Sequence, residues 1–339
     1  MAQSSRLPVR CGIVLAGGEG KRLQPFIHRV RADSLPKQYV NFIGSRSMLE
    51  HTTHRAEKII PSDRLFTVVK RDHLRYPEVR RQIRCRPTGT VVVQPENKET
   101  GPGLFLPLMH LYKRYPESVV VVFPSDHFIL EEDLFMAYVG MACHLVECDP
   151  GRLVLLGVEP DRAEPEYGYV LPDGHGNDLE RLGLRKVRAF IEKPEPHTAR
   201  ELILRGGLWS TMVMVFRTNI LLDLSRVVAP ALYRSFEQIW EAIGTCRERR
   251  VVEAAYQRMK PVNFSTGLLQ PLAREHCSSL FVLPVRGLRW CDWGSGRRVV
   301  SVLRETGFLG RLHGISEDRL FKIWGGLDSE DPHYLFDAD

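Results

Sequence analysis

The sequence has no apolar run approaching the ~20 residues of a membrane-spanning helix. Its first ten residues, Met1 to Arg10, contain no apolar core of a secretory signal. Both absences make the cytoplasm the expected location. Cysteine is sparse, with seven in 339 residues: Cys11, Cys85, Cys143, Cys148, Cys246, Cys277 and Cys291. The number is odd and no two stand in CxxC spacing, which excludes zinc-ribbon and thioredoxin-like readings. Scattered thiols of this kind are expected to be reduced. Internal repeats, low-complexity segments and long linkers are also lacking. Neither sign of charge dominates: 47 Lys and Arg against 41 Asp and Glu give a net +6. That balance suits anionic partners without choosing between small phosphates and nucleic acid. The densest basic run is Arg71, Arg75, Arg80, Arg81, Arg84 and Arg86. No RNA-recognition, zinc-finger or basic-zipper pattern accompanies it, so it reads as a solvated helix face and nucleic acid is not an expected partner.

What the chain does contain is alternation. Continuous apolar runs recur at 11–16, 65–69, 90–93, 119–123 and 153–158, with amphipathic stretches at 48–59, 103–115 and 134–148 between most of them. Strands alternating with helices predict an α/β fold, a Rossmann-like mixed and mostly parallel sheet flanked by helices. Continuous rather than alternating apolarity fits strands buried on both faces. Ligands in such sheets sit beyond the carboxyl ends of the strands. After 158 the texture changes, with strand-like pieces at 167–170, 187–191, 211–216 and 278–285. Helical stretches are expected at 220–228, 231–243, 251–259 and 297–306. A boundary near Pro271 would divide a main domain, 1–270, from a small C-terminal subdomain, 271–339, for packing or homo-oligomer contacts.

The first apolar run leads into Gly17-Gly18-Glu19-Gly20-Lys21-Arg22. Glycines let the backbone turn tightly, exposed N–H groups form an anion nest, and a guanidinium matches phosphate. The GxxxxGK[ST] phosphate loop fails here, because Arg22 follows Gly20-Lys21. The dinucleotide fingerprint GxGxxG fails because Leu23 stands at its third Gly. A second cation, in Pro36-Lys37-Gln38, supports a phosphate reading of the loop.

The stretch Leu15-Ala16-Gly17-Gly18-Glu19-Gly20-Lys21-Arg22-Leu23-Gln24-Pro25, followed by Pro36-Lys37-Gln38, resembles the LAGGxGxRLxP and PKQ signature of sugar-1-phosphate nucleotidyltransferases. Within them it looks most like the mannose-1-phosphate guanylyltransferases. Gln94-Pro95-Glu96-Asn97-Lys98-Glu99-Thr100 resembles their QPENRxT, and Val122-Phe123-Pro124-Ser125-Asp126-His127 their VFPSDH. Tyr167-Gly168-Tyr169 resembles their GYGY. Phe190-Ile191-Glu192-Lys193-Pro194 resembles FxEKP, and Trp290-Cys291-Asp292-Trp293-Gly294-Ser295 resembles WxDxGSW. The motifs stand in the expected order over residues 11 to about 296. The likeness is to the short form, without the cupin-type isomerase domain of longer relatives.

The resemblance implies a nucleotidyltransferase fold and a role for each matching position. Leu15, Ala16, Gly17 and Gly18 would contact base and ribose, largely through backbone, with Gly20, Gln94 and Asn97 completing the nucleotide site. Arg22 and Lys37 would hold the nucleotide phosphates. Gly168, Glu192 and Lys193 would hold the sugar phosphate, Lys193 by its phosphate. Asp126 and Asp292 would bind Mg²⁺. The implied reaction is attack of a sugar-1-phosphate oxygen on the α-phosphorus of GTP, giving GDP-mannose and pyrophosphate. A phosphomonoester with a second pKa of ~6 is already mostly dianionic near neutrality, so no general base is needed. Positioning and neutralisation of two anions are needed, and Arg22, Lys37 and Lys193 supply charge for both.

The chain departs from the family pattern on the sugar side. Ser210 and Met212 stand where WNxGMF has Asn and Gly. Asn263, Gly267 and Gln270 replace the carboxylates of a DFSxDVLE-like stretch, and Gly296 stands where Trp is common. Two alternatives therefore accompany the main reading. One is the same reaction on another sugar-1-phosphate or nucleoside triphosphate. The other is a catalytically impaired regulatory subunit that binds nucleotide-sugar.

Overall fold

The computed structural model describes residues 8–174 and 183–309. The opening apolar runs form β1 (Arg10–Ala16), β2 (Leu65–Lys70), β3 (Val91–Gln94) and β4 (Val119–Pro124), which lie in the order β3-β2-β1-β4. All three contacts are parallel, with Ile13 opposite both Phe66 and Val122. The helices of these crossovers are α1 (Gln24–Arg31), α2 (Met48–Ala56), α3 (Pro77–Arg84) and α4 (Thr100–Arg114). A capping box starts α2: the Glu50 N–H donates to Ser47 Oγ at 3.1 Å, and the Ser47 N–H donates to Glu50 Oε2 at 2.7 Å. The basic run at 71–86 is only partly helical, a 3-10 turn and then α3, with Val79 and Gln82 buried and Arg80, Arg81 and Arg84 exposed.

Beyond β4 come β5 (Phe128–Ile129), α5 (Glu132–Cys148), β6 (Leu153–Val158), β7 (Gly168–Pro172), β8 (Arg185–Glu192), α6 (Pro196–Leu204) and β9 (Leu208–Arg217). Three helices follow, α7 (Thr218–Val228), α8 (Pro230–Ala242) and α9 (Glu248–Arg258). Then come α10 (Gln270–Arg274), β10 (Leu280–Val285), β11 (Trp290–Cys291) and α11 (Gly296–Glu305). The nine-stranded sheet is ordered β3-β2-β1-β4-β9-β6-β10-β8-β7. It is mixed: β9 runs antiparallel to β4, β6 and β7, while β10 runs parallel to β6 and antiparallel to β8. The parallel part is thus concentrated in the first half, where each strand is followed by a crossover. The second half introduces antiparallel pairs, starting with the direct β7–β8 return.

Alternate residues of β1 and β4 face opposite ways, the period-2 rule of a strand. Val14, Ala16, Val119, Val121 and Phe123 enter a core under α2, α5 and α11. Ile13, Val120 and Val122 enter a second core under α4, α7, α8 and α9. Both faces are covered, as the continuous apolar runs predict. Pro271 lies inside α10, and the chain beyond it returns to the interior of the main sheet as β10, between β6 and β8. The described part of 271–339 is therefore built into the sheet, and residues 310–339 of the expected subdomain lie outside the described residues.

Candidate active site

The glycine loop leaves the carboxyl end of β1, and the PKQ stretch fixes it from below. Gln38 Nε2 donates to the carbonyls of Ala16 and Gly18, both at 2.8 Å, and the Tyr39 hydroxyl donates to the Ala16 carbonyl at 3.0 Å. His73 lies 3.3 Å from that hydroxyl, and its burial depresses its pKa to about 4, keeping it neutral. Gly20 has φ +61°, where a side chain is strained, and a Cβ there would come within 3.1 Å of Lys37 Cγ. At Gly17 a Cβ would sit 2.3 Å from Gln94 Nε2, so this backbone must be glycine for Gln94 to pack on it. Glu19 bridges Lys21 at 2.9 Å and Lys70 at 2.8 Å, and those two ammonium groups hold its carboxyl down at about 2. Lys21 is otherwise solvated.

These elements wall a cavity of ≈ 480 Å³ lined by Leu15, Gly17, Gly18, Gly20, Arg22, Lys37, Gln94, Asn97 and Asp126, with Glu99, Thr100 and Gly294 among the rest. Gln94 is 1% exposed; its Nε2 donates to the Gly17 carbonyl at 3.4 Å. Its Oε1 is buried without a hydrogen-bond partner among the described residues. Asn97 Oδ1 accepts from the Glu99 N–H at 2.9 Å, bracing the loop after β3. Ala16 is fully buried and off the cavity wall, and its carbonyl serves the Gln38 and Tyr39 anchors. The side chain of a strand's last buried residue belongs to the core, and period 2 turns it away from the ligand face.

The two aspartates meet through a short antiparallel ladder. Cys291 of β11 pairs with Phe128 of β5, and Trp290 with Ile129. Antiparallel pairing puts the residues before β5 beside those after β11, which brings Asp126 and Asp292 together. Trp293 stacks on Phe128 at 5.3 Å and 7°, and Trp290 packs edge-on against His127 at 5.1 Å. These tryptophans are 1% and 6% exposed, so they are core. Trp290 Nε1 donates to His127 Nδ1 at 3.2 Å, so His127 is a packing residue, its pKa depressed by burial to about 4. The strand β5 follows Asp126, and the side chain of Ser295, three residues after Asp292, caps α11.

Lys37 lies between the aspartates. Its Nζ is 2.9 Å from Asp126 Oδ2 and donates to the carbonyls of Asp292 at 3.1 Å and Trp293 at 3.4 Å. Burial pushes the Asp126 carboxyl up, but Lys37 and His127 outweigh it and hold it below its ordinary value. Burial, reinforced by Asp126, pushes the Asp292 carboxyl above its ordinary value against the pull of Lys37 and Arg22. Asp292 Oδ1 accepts from the Gly294 N–H and from Arg298 Nη1, both at 2.9 Å. Two hard carboxylates, mutually repelling and partly satisfied, suit a small divalent cation. Among the described residues no group of three or more His, Cys, Asp or Glu could hold a metal. A cation here would have to share oxygen ligands from substrate and water, as Mg²⁺ does.

The expected sugar-side residues gather at the mouth of β7 and β8. Gly168 pairs with Glu192, and a Cβ at Gly168 would lie 2.8 Å from Glu192 Oε2. Burial raises the Glu192 pKa, opposed by Lys193, Ser265 and Arg22. Lys193 is exposed, with φ +47°. Met212 also has a positive φ, +54°, at a register shift between β6 and β9, and Ser265 Oγ donates to its sulfur at 3.5 Å. A methionine in this conformation stands where a glycine is strain-free. At Gly296 a Cβ would lie 3.0 Å from Phe26 Cβ, so Phe26 fills the space a tryptophan would need. Asn263 Oδ1 accepts from the Thr266 N–H at 3.2 Å, capping the π-helical turn Ser265–Leu269. Two site residues escaped the sequence reading, Glu166 and Arg298. Arg298 binds Asp292 and Glu166, and Glu166 binds Arg22. Only their spacing to Tyr167 and Gly294, adjacent to two motifs, hinted at them.

Known proteins share this arrangement of chain. The xanthan biosynthesis protein XanB of Xanthomonas campestris is 26% identical over 306 residues, which cover 89% of this chain and 61% of that protein. Mannose-1-phosphate guanylyltransferase of Escherichia coli is 29% identical over 246 residues, covering 72% of this chain and 49% of that one. The chain thus spans 61% and 49% of the lengths of these relatives. Among solved structures, mannose-1-phosphate geranyltransferase from Thermus thermophilus shares the fold with a TM-score of 0.72 at 24% identity, covering 86% of this chain and 79% of that one. The family model described as nucleotidyl transferase matches residues 11–302, from the first residues of β1 into α11, and on that match the chain belongs to the nucleotidyl transferase family.

Proposed function

We propose that this protein transfers GMP from GTP to mannose-1-phosphate, releasing pyrophosphate and GDP-mannose. The observation that carries the reading is one cavity whose wall holds both Gln94, with its unpartnered buried acceptor, and the charged set Arg22, Lys37 and Asp126. A buried acceptor without a partner costs about 1–3 kcal/mol until a donor arrives. The N–H groups of a guanine edge are such donors. In this reading Arg22 and Lys37 take the triphosphate, and Glu192 and Lys193 orient the sugar phosphate. The acceptor needs no base, so the protein's work is alignment and charge neutralisation. Asp126 and Asp292 would hold Mg²⁺, which when bound supplies further neutralisation of the phosphate oxygens. The name of the Escherichia coli relative, mannose-1-phosphate guanylyltransferase, supports the sugar and the base. The seven free cysteines agree with a cytoplasmic setting.

A second reading keeps the reaction and changes the acceptor. Met212 favours it, since a bulky thioether at φ +54° occupies the sugar side. The standing together of Arg22, Lys37, Asp126 and Asp292 speaks against an impaired regulatory subunit. Pyrophosphate release by the purified chain tests all three, measured with Mg²⁺ and a panel of hexose-1-phosphates against four nucleoside triphosphates. Mannose-1-phosphate with GTP is expected to win, and Asp126→Ala to abolish release. No release with any pair would overturn the proposal.

A further inference from the structure

Glu166 has no role in the transfer proposed above, yet its carboxylate pairs with Arg22, which lines the cavity. Its Oε2 lies 3.0 Å from Arg22 Nη1, and the two side chains are 51% and 44% exposed for Arg22 and Glu166. The same oxygen accepts from Arg298 Nη2. The two arginines differ in freedom. Arg298 is 7% exposed and held on several sides: Nη1 donates to Asp292 Oδ1 at 2.9 Å, Nε to Ser295 Oγ at 3.5 Å, and the guanidinium lies 4.9 Å above the Tyr167 ring. Arg22 is exposed and lines the cavity. A carboxylate beside an anion site repels the anion, so its presence needs a reason.

We propose that Glu166 is a positioning residue, an internal counter-ion that occupies Arg22 until a polyphosphate displaces it, with Arg298 as its permanent anchor. The idea rests on reading the cavity as a polyphosphate site. When Arg22 swings to the ligand, Arg298 still pairs Glu166, so no carboxylate is orphaned. The arrangement sets a threshold. A ligand must carry enough negative charge to outcompete a carboxylate already in place, which favours a triphosphate over a weakly charged anion.

The test is calorimetric titration of the intact chain with inorganic tripolyphosphate, which carries neither base nor sugar. Four proteins are compared: wild type, Glu166→Gln, Arg22→Ala and the double variant. Removing the competitor is expected to tighten tripolyphosphate binding roughly two- to five-fold, the worth of an exposed ion pair. That gain should vanish in the Arg22→Ala background. A gain that persists without Arg22 is a general charge effect and overturns the proposal. So does unchanged or weaker binding by Glu166→Gln, or no binding by either protein. Wild type that binds tripolyphosphate but no nucleotide ends the nucleotide reading while the exchange itself is still tested.

Discussion

Lys37→Met is the most informative perturbation. It keeps the stem that packs on Gly20 and removes the charge paired with the Asp126 carboxylate. Taking one partner from a fully buried ion pair costs about 3–5 kcal/mol, whereas an exposed pair is worth about 0–1 kcal/mol. The side chains of Lys37 and Asp126 are 13% and 28% exposed, between these limits. The loss at pH 7 is therefore set at roughly 1–3 kcal/mol. Its pH dependence follows from the sign of the shift. Asp126 is depressed in the folded protein, so its contribution is present above its ordinary value of 3.8 and is lost as pH falls through the lower folded value. Without Lys37 the main counterweight to the burial of Asp126 is gone and its pKa rises, so the variant gains relative stability on acidification. Urea unfolding of both proteins at pH 7 and pH 3 measures this. The difference should be largest at pH 7 and shrink at pH 3; a difference that is absent, or constant with pH, would refute the electrostatic account. Pyrophosphate release by the variant should fall at least about 100-fold, as when a fixed donor to a developing charge is removed.

Other expectations follow from the same geometry. Gly17→Ala puts a Cβ 2.3 Å from Gln94 Nε2 and should raise the KM for nucleotide about ten-fold, the effect of roughly one lost hydrogen bond, with a melting temperature close to wild type. Gly296→Trp must displace Phe26 and should destabilise by about 1–3 kcal/mol in urea, the cost of overpacking. His73 and His127 both have folded pKa values of about 4, below their ordinary 6.5. Stability should thus be fully present above pH 6.5 and decline as pH falls through 4. His73→Asn should flatten that decline in a denaturation series, and an unaltered slope would contradict the assignment.

The parts of the site that lie at strand ends were legible in the sequence because apolar runs mark the strands and the following residues carry the chemistry. The glycine loop after β1, Gln94 at the end of β3 and Asp126 after β4 all follow this rule. What the rule misses are pairings made across the chain. The β5–β11 ladder that brings Asp292 to Asp126 is two residues long on each side, too short for any period to register. Glu166 and Arg298 lie 132 positions apart, and each alone looks like a surface charge. The antiparallel entry of β9 was hidden because its run 211–216 is as apolar as a parallel strand.

The place of β10 has a consequence for how the molecule is made. Its parallel partner β6 ends at Val158, and its antiparallel partner β8 ends at Glu192, yet β10 begins only at Leu280. During synthesis the interior of the sheet stays unzipped between β6 and β8 until nearly ninety further residues have followed Glu192 off the ribosome. Long-range parallel pairing is slow, and open strand edges invite association with other chains while they wait. The nascent protein therefore passes through a stage with two sticky edges at its centre, and chaperone dependence should concentrate on that interval of translation.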